Sequence, residues 1–285
     1  MTSQATSFIG TVPDRYDRGL GPVIFIDFGA DIARRMAASR AMRVLEIAAG
    51  TGIVTRQLRD LLPTDARLTA TDLNPPMLEV ARTKFRPGER VDFQPADATA
   101  LPFPDAVFDA VLCQFGVMFF PDKEKSYREV HRVLVPRGHY FFSVWDSHRH
   151  NPFGRLAHEI IGGFFPADPP QFYQVPFGYH LIDPIKDSLM DAEFTDIEVA
   201  VLGVEKTIPD LASFARGLVY GSPVIDQIRE RSGVEPDRIV ETLADALRRE
   251  FGADPARMPR QSHSRRGSVR VRLGITRRRR SRLGT

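Results

Sequence analysis

Cysteine is almost missing from this chain of 285 residues, with Cys113 standing alone. That excludes an internal disulfide framework and any cysteine-rich metal site. No secretory apolar segment follows Met1, and no apolar run approaches the roughly 20 residues that a membrane-spanning helix needs, so a cytosolic chain is expected. Acid is absent from residues 260–285, where ten of the 39 Lys+Arg residues stand; the rest of the chain carries 29 against 36 Asp+Glu, a balance of −7. This asymmetry separates a mildly acidic globular body from a basic tail. With 42% hydrophobic residues there is ample core for one large domain or two small ones, without covalent staples.

What is present is organised around residues 43–52, Arg-Val-Leu-Glu-Ile-Ala-Ala-Gly-Thr-Gly. A short apolar run meets a small-residue turn, and a helical pattern follows with Val54, Leu58, Leu61 and Leu62 on one face. Gly50 and Gly52 permit positive φ and let a ligand lie against bare backbone, at the point where the next helix offers unpaired N–H groups. Close packing of strand on helix would ask for the same small residues. The dinucleotide fingerprint G-x-G-x-x-G is incomplete, because Thr55 stands where its third glycine belongs.

Further strands follow in order. Arg67–Leu73 ends in Asp72, an acid placed to accept from both hydroxyls of a ribose. Asn74 suits a helix N-cap with Pro75 and Pro76 in the first turn. Val91–Gln94 leads to a second strand-end acid, Asp97. Phe108–Cys113 is an unbroken apolar run of the kind found at the buried centre of a parallel sheet. Gln114 stands at its carboxyl end, where ligands bind in open α/β sheets, and is a candidate polar contact to cofactor or acceptor. Asp122 opens another helix, ended by Pro136-Arg137-Gly138. His139–Trp145 and Phe194–Val201 supply the fifth and sixth strands, with helices around Pro184–Ala192 and 209–250.

The pattern Glu46-x-Ala48-x-Gly50-x-Gly52 resembles the first motif of the class I S-adenosylmethionine-dependent methyltransferases, with alanine in place of the usual first glycine. Thr71 to Pro75, Asp97-Ala98 with Leu101-Pro102-Phe103, Phe108-Asp109 leading to Gln114-Phe115, and Arg128 to Gly138 extend the likeness over about residues 8–204. In order and spacing they look like the small-molecule branch that includes the ubiquinone and menaquinone C-methyltransferases. The resemblance implies a Rossmann-like, mostly parallel α/β sheet of seven strands with helices on both faces, plus a helical insertion, the last strand running antiparallel. It implies S-adenosyl-L-methionine across the ends of strands one, two and four, held by Tyr16, Glu46, Ala48, Gly50, Gly52, Asp72, Leu73, Met77, Asp97, Ala98 and Gln114. Asp97 and the Ala98 N–H would meet the adenine, and Met77 either touches the adenine or faces the core. Tyr16 either sits near the methionyl end or belongs to a helix packed on the sheet.

The resulting division is a helical lid segment at 1–40, the cofactor-binding core at 41–204, a helical cap at 205–258 and a basic, disordered tail at 259–285. Where the family has its final apolar strand, this chain has Arg260-Gln261-Ser262-His263-Ser264-Arg265-Arg266. Burying unpaired guanidiniums costs about several kcal/mol each, so the segment is expected to stay out of the sheet, as a shifted reading frame or an unusual terminus that replaces the final strand. The tail lacks aromatics for stacking on bases, and nucleic acid is not the expected partner.

Methyl transfer from a sulfonium asks chiefly for alignment, which can supply roughly 7–11 kcal/mol of a barrier, and no catalytic triad is visible. Should a base be needed, His148 and His150 are the candidates. They make too sparse a set with Asp146 to bind metal. The expected function is methylation, at carbon or oxygen, of a small acceptor. The aromatic stretch Phe164-Phe165, Phe172-Tyr173, Phe177 and Tyr179 would wall an apolar pocket together with helix 209–219, or simply pack. A nicotinamide-dependent oxidoreductase and an RNA-modifying protein acting through its tail are the alternatives.

Overall fold

The computed structural model describes residues 7–231, 233–253 and 255–269. Its centre is a seven-stranded sheet built from β1 (Arg43–Ile47), β2 (Arg67–Asp72), β3 (Val91–Pro95), β4 (Phe108–Gln114), β5 (Leu134–Trp145), β6 (Phe194–Ile208) and β7 (Ala256–Val269), in the spatial order β3-β2-β1-β4-β5-β7-β6. The first five run parallel, and β7 lies antiparallel between β5 and β6. Strands β1 and β4 read as near-continuous apolar runs because helices cover both of their faces. Strand order reverses between β1 and β4, so their carboxyl ends diverge and leave a crevice.

Helices α1 (Val12–Arg15), α2 (Ile26–Ala37), α3 (Ile53–Leu61), α4 (Pro75–Arg82), α5 (Lys123–Val133), α6 (Pro152–Gly163), α7 (Gln174–Gly178) and α8 (Ile182–Asp191) surround the sheet; α9 (Leu211–Tyr220), α10 (Val224–Glu230) and α11 (Pro236–Phe251) separate β6 from β7. On one face Ile32 and Met36 of α2 and Val54 and Leu58 of α3 bury Val44, Leu68, Leu112 and Phe141. The other face carries the larger core. Between α1 and α2, Tyr16–Phe25 winds as a π-helical segment, in which the Ile26 N–H reaches back to Gly21 O. Local expectations fail in two small places. Pro136-Arg137-Gly138 belongs to β5, not to a helix end, and Asn74 makes no cap hydrogen bond, since its side chain is used elsewhere. Asp122 does cap, accepting from Lys125 N at 2.8 Å.

The expectation that the chain leaves the sheet after Pro259 is corrected by β7, which pairs with β6 from Ala256 to Val269 and with β5 from Ser262 to Ser268. Pairing on two edges satisfies the strand's backbone, and of its four guanidiniums two stay near solvent and two are buried. Arg260 is buried but paired: Nη2 lies 2.6 Å from Asp27 Oδ2, Nη1 donates to Val23 O at 2.6 Å, and the group sits 5.0 Å from the Phe28 ring centre. Arg257 and Arg266 stay nearer solvent, beside Glu205 and Glu198. Arg265 is the exception. It is 1% exposed, none of its side-chain nitrogens has a hydrogen-bond partner among the described residues, and it sits 5.7 Å from the Phe142 ring centre. Burial brings its pKa down to about 10. Residues 270–285, with the remaining arginines of the expected tail, lie outside the described residues.

An uncompensated buried cation destabilises the fold, so Arg265→Leu is expected to raise the unfolding free energy by about 1–4 kcal/mol. Urea denaturation reads this directly; a lower midpoint in the variant would mean that the guanidinium has a stabilising partner.

Candidate active site

The crevice at the ends of β1, β2 and β4 has a volume of about 280 Å³. Of the residues expected there, Tyr16, Ala48, Gly50, Asp72, Leu73, Met77, Asp97, Ala98 and Gln114 line it, while Glu46 and Gly52 do not. The two loop glycines divide the roles that the sequence left open. Gly50, at φ +57°, faces the crevice. Gly52, at φ +77°, is a packing glycine, because a Cβ there would lie 2.7 Å from the Cβ of Ala81 on α4. Ala48 takes φ +53°, a left-handed conformation in which glycine would be unstrained.

Asp72 organises the floor. Its Oδ2 accepts from Gly50 N at 2.9 Å and its Oδ1 from Asn74 N at 2.8 Å and Asn74 Nδ2 at 3.3 Å. Burial raises its pKa against the opposing pull of these hydrogen bonds. Asn74 Oδ1 in turn accepts from Phe8 N at 3.3 Å, tying the N-terminal segment to the crevice rim. Asp97 is oriented by Thr99, whose N–H and hydroxyl donate to Oδ1 at 2.8 and 2.9 Å. Glu46 sits under the loop, 2% exposed, with Oε2 lacking a hydrogen-bond partner among the described residues. Burial, with the Asp72 charge adding to it, pushes its pKa up to about 8.

The N-terminal cover closes the top. Asp17 Oδ1 accepts from Thr51 Oγ1 at 2.6 Å and from Lys84 Nζ at 2.5 Å, and Lys84 also donates to Thr51 O at 2.7 Å. Gln114 Nε2 donates to Phe25 O at 3.1 Å. These contacts set the Tyr16 ring against Phe25 (4.8 Å, stacked) and edge-on to Phe8 (5.7 Å). Burial first, then the Asp72 and Asp17 charges, push the Tyr16 phenol far above its ordinary pKa, so it is a neutral hydrogen-bonding group.

Past Tyr16 lies a second, apolar cavity of about 60 Å³, sharing Phe8, Tyr16, Phe115 and Phe119 with the first. Trp145, Phe153, Phe172, Tyr173, Phe177 and Leu218 wall it. Of the aromatic stretch expected here, Phe164, Phe165 and Tyr179 are placed elsewhere, the Tyr179 hydroxyl meeting that of Tyr127 at 2.9 Å. Neither candidate base lines either cavity. His148 is half-buried against Phe177 with Nε2 3.1 Å from Tyr173 O, and burial lowers its pKa; His150 is exposed. Asp146 is a structural joint, with Oδ2 2.6 Å from Gln261 Nε2 and 3.0 Å from His263 Nε2.

Sequence reasoning passed over Phe8, Asn74, Phe115, Gly116, Phe119 and Phe120 as site residues. A usable signal existed for four of them, which follow β4 directly at the order reversal. Phe115 has φ +52°, rare for a bulky residue, and its ring stacks on Trp145 at 4.0 Å and 3°.

A parallel sheet with a glycine loop after β1 and strand-end acids after β2 and β3 defines a nucleotide-type site. Residues 45–142 match the profile of the family described as a methyltransferase domain. Demethylmenaquinone methyltransferase of Thermus thermophilus is 44% identical over 120 residues, covering 40% of this chain and 54% of that protein. The ubiquinone/menaquinone biosynthesis C-methyltransferase UbiE of Hahella chejuensis is 40% identical over 98 residues, covering 33% and 39%. The matches thus span about half or less of these relatives' length. Among solved structures, the YcgJ protein of Bacillus subtilis shares the fold at a TM-score of 0.57, with 19% identity, covering 85% of this chain and 99% of that one. A putative methyltransferase from Bacillus halodurans aligns at 0.55 with 18% identity, covering 85% and 99%.

Glu46 makes stability depend on pH. Its folded-state pKa of about 8 exceeds the ordinary 4.5, so the folded protein keeps a proton that the unfolded chain has lost between those values, and stability falls as pH rises through this window. Glu46→Gln should flatten the profile and be more stable than the parent at pH 9 by about 2–4 kcal/mol. Thermal melts from pH 5 to 9 test this; parallel profiles for the two proteins would refute it.

Proposed function

We propose that this chain transfers a methyl group from S-adenosyl-L-methionine to a small apolar or aromatic acceptor. The observation that carries the reading is the convergence of Asp72, Asp97 and the bare Gly50 backbone on one crevice that opens, past Tyr16, into an aromatic chamber. The Asp72 and Asp97 carboxyls and the bare Gly50 backbone on the crevice wall fit a ligand with sugar hydroxyls.

Asp72 would hold the ribose; Asp97 and the Ala98 N–H would hold the adenine; Leu73 and Met77 would flank the base, and Tyr16 and Gln114 would meet the methionyl end. Ala48 would lie against the ligand, and Glu46 and Gly52 shape the loop from behind. The bound cofactor supplies a methyl group already activated on a sulfonium. The protein's part is to exclude water and align the acceptor, worth roughly 7–11 kcal/mol in favourable cases. No histidine lines either cavity among the described residues, so the acceptor must bring its own nucleophilic atom. The C-methyltransferase activity for which the Hahella chejuensis relative is named favours carbon over oxygen as that atom. The nicotinamide alternative has no support in a loop without its third glycine. A cytoplasmic location belongs to the same reading; no helix among the described residues is long and apolar enough to cross a membrane.

Isothermal titration should show binding of S-adenosylhomocysteine and none of NADH; the reverse would overturn the proposal. Asp72→Asn should weaken S-adenosylhomocysteine by about 1.5–3 kcal/mol, the worth of hydrogen bonds to a charged acceptor. An unchanged affinity would remove Asp72 from the cofactor's contacts.

A further inference from the structure

The apolar chamber is small and its walls lean on one another. Trp145 is stacked on Phe115 and packs against Phe153 at 5.6 Å and Phe177 at 6.1 Å, and Phe153 meets Phe177 at 5.6 Å. Phe177 is backed further by the His148 ring at 4.7 Å and by the backbone of α6 at Gly154. A Cβ at that position would lie 2.2 Å from Phe177 Cε2 and 2.3 Å from Cζ. Glycine is therefore what lets the Phe177 ring retreat, and on that side it can retreat no further.

An apolar cavity of roughly 150 Å³ accommodates benzene, whereas this chamber offers about 60 Å³. A ring that presents its reacting atom to the donor crevice must therefore lie partly in the mouth shared by Tyr16, Phe115 and Phe119, with only its far edge in the chamber. At about 60 Å³ the chamber has no room for a second ring behind the first.

We propose that the acceptor is a single-ring compound, that fused two-ring compounds are excluded, and that Gly154 sets this size limit by fixing the position of Phe177. The proposal rests on the reading of the larger crevice as the methyl donor's site. Gly154 acts through Phe177 and is a specificity-determining position, not a catalytic residue. Apolar pockets discriminate steeply against added bulk when their walls cannot yield.

Trp145 is the sequence's one tryptophan, so its emission reports on the chamber. With S-adenosylhomocysteine saturating, nitrobenzene and 1-nitronaphthalene serve as non-fluorescent quenchers of one and two rings. Nitrobenzene is expected to quench saturably, and 1-nitronaphthalene at least about tenfold more weakly. Phe177→Ala should reverse that preference, and Gly154→Ala should weaken nitrobenzene by about 10- to 200-fold, the range for one methylene-sized change in a hydrophobic pocket. S-adenosylhomocysteine affinity, read by calorimetry, should not move in either variant. Equal affinity of both quenchers for the parent protein, or an unaltered ratio in Phe177→Ala, would overturn the proposal, and Phe177→Ala decides it even if Gly154→Ala does not fold. Loss of S-adenosylhomocysteine binding in the parent would instead remove the donor-site reading, which the calorimetry registers separately from the quencher ratio.

Discussion

The crevice depends on one buried carboxylate. Asp72 joins the end of β2 to the loop after β1 through the Gly50 amide, and fixes the turn into α4 through Asn74. Asn74 carries the same network to Phe8 of the N-terminal segment. Hydrogen bonds to an ionised acceptor are worth about 1.5–3 kcal/mol each, enough to hold a loop whose glycines would otherwise leave it loose. Asp72 is also the charge that Glu46 feels from below. Burial raises the pKa of both acids, and the Asp72 charge adds to the rise at Glu46.

The cover over this floor is built from distant parts of the chain. Asp17 latches the π-helical segment to the glycine loop and Lys84, while Gly19 and Gly217 bring that segment against α9 so closely that a Cβ on Gly19 would stand 2.8 Å from the Gly217 Cα. Arg260 of β7 reaches Val23 and Asp27. Lid, cap and last strand thus meet on one side of Tyr16, whose neutral phenol stands where the polar crevice gives way to the aromatic chamber. That boundary separates two chemistries within one opening, a charged floor for a nucleotide-like ligand and a dry wall for whatever lies beside it.

Strand β7 shows how far sheet context can override a composition argument. Its arginines were reason to leave it in solvent, yet insertion between β5 and β6 closes two strand edges at once. One guanidinium found Asp27 and a carbonyl, and others reached the surface. The desolvation argument holds in full only at Arg265, where strand alternation turns the side chain inward against Phe142 and supplies no anion.

The sequence by itself determined the parallel strands, their order along the chain and nine of the crevice residues, because apolar periodicity, glycine turns and strand-end acids are local signals. It could not divide Gly50 from Gly52, since a glycine needed for a ligand and one needed for packing look alike until α4 is in place. Nor could it place His148, whose ring packs against Phe177 without lining either cavity. Only the tertiary structure decided the fate of β7, the pairing of Arg260 and the shape of the chamber. Those depend on Phe8, Tyr16, Trp145, Phe177 and Leu218 arriving together from segments far apart in the chain, and no local pattern encodes that meeting.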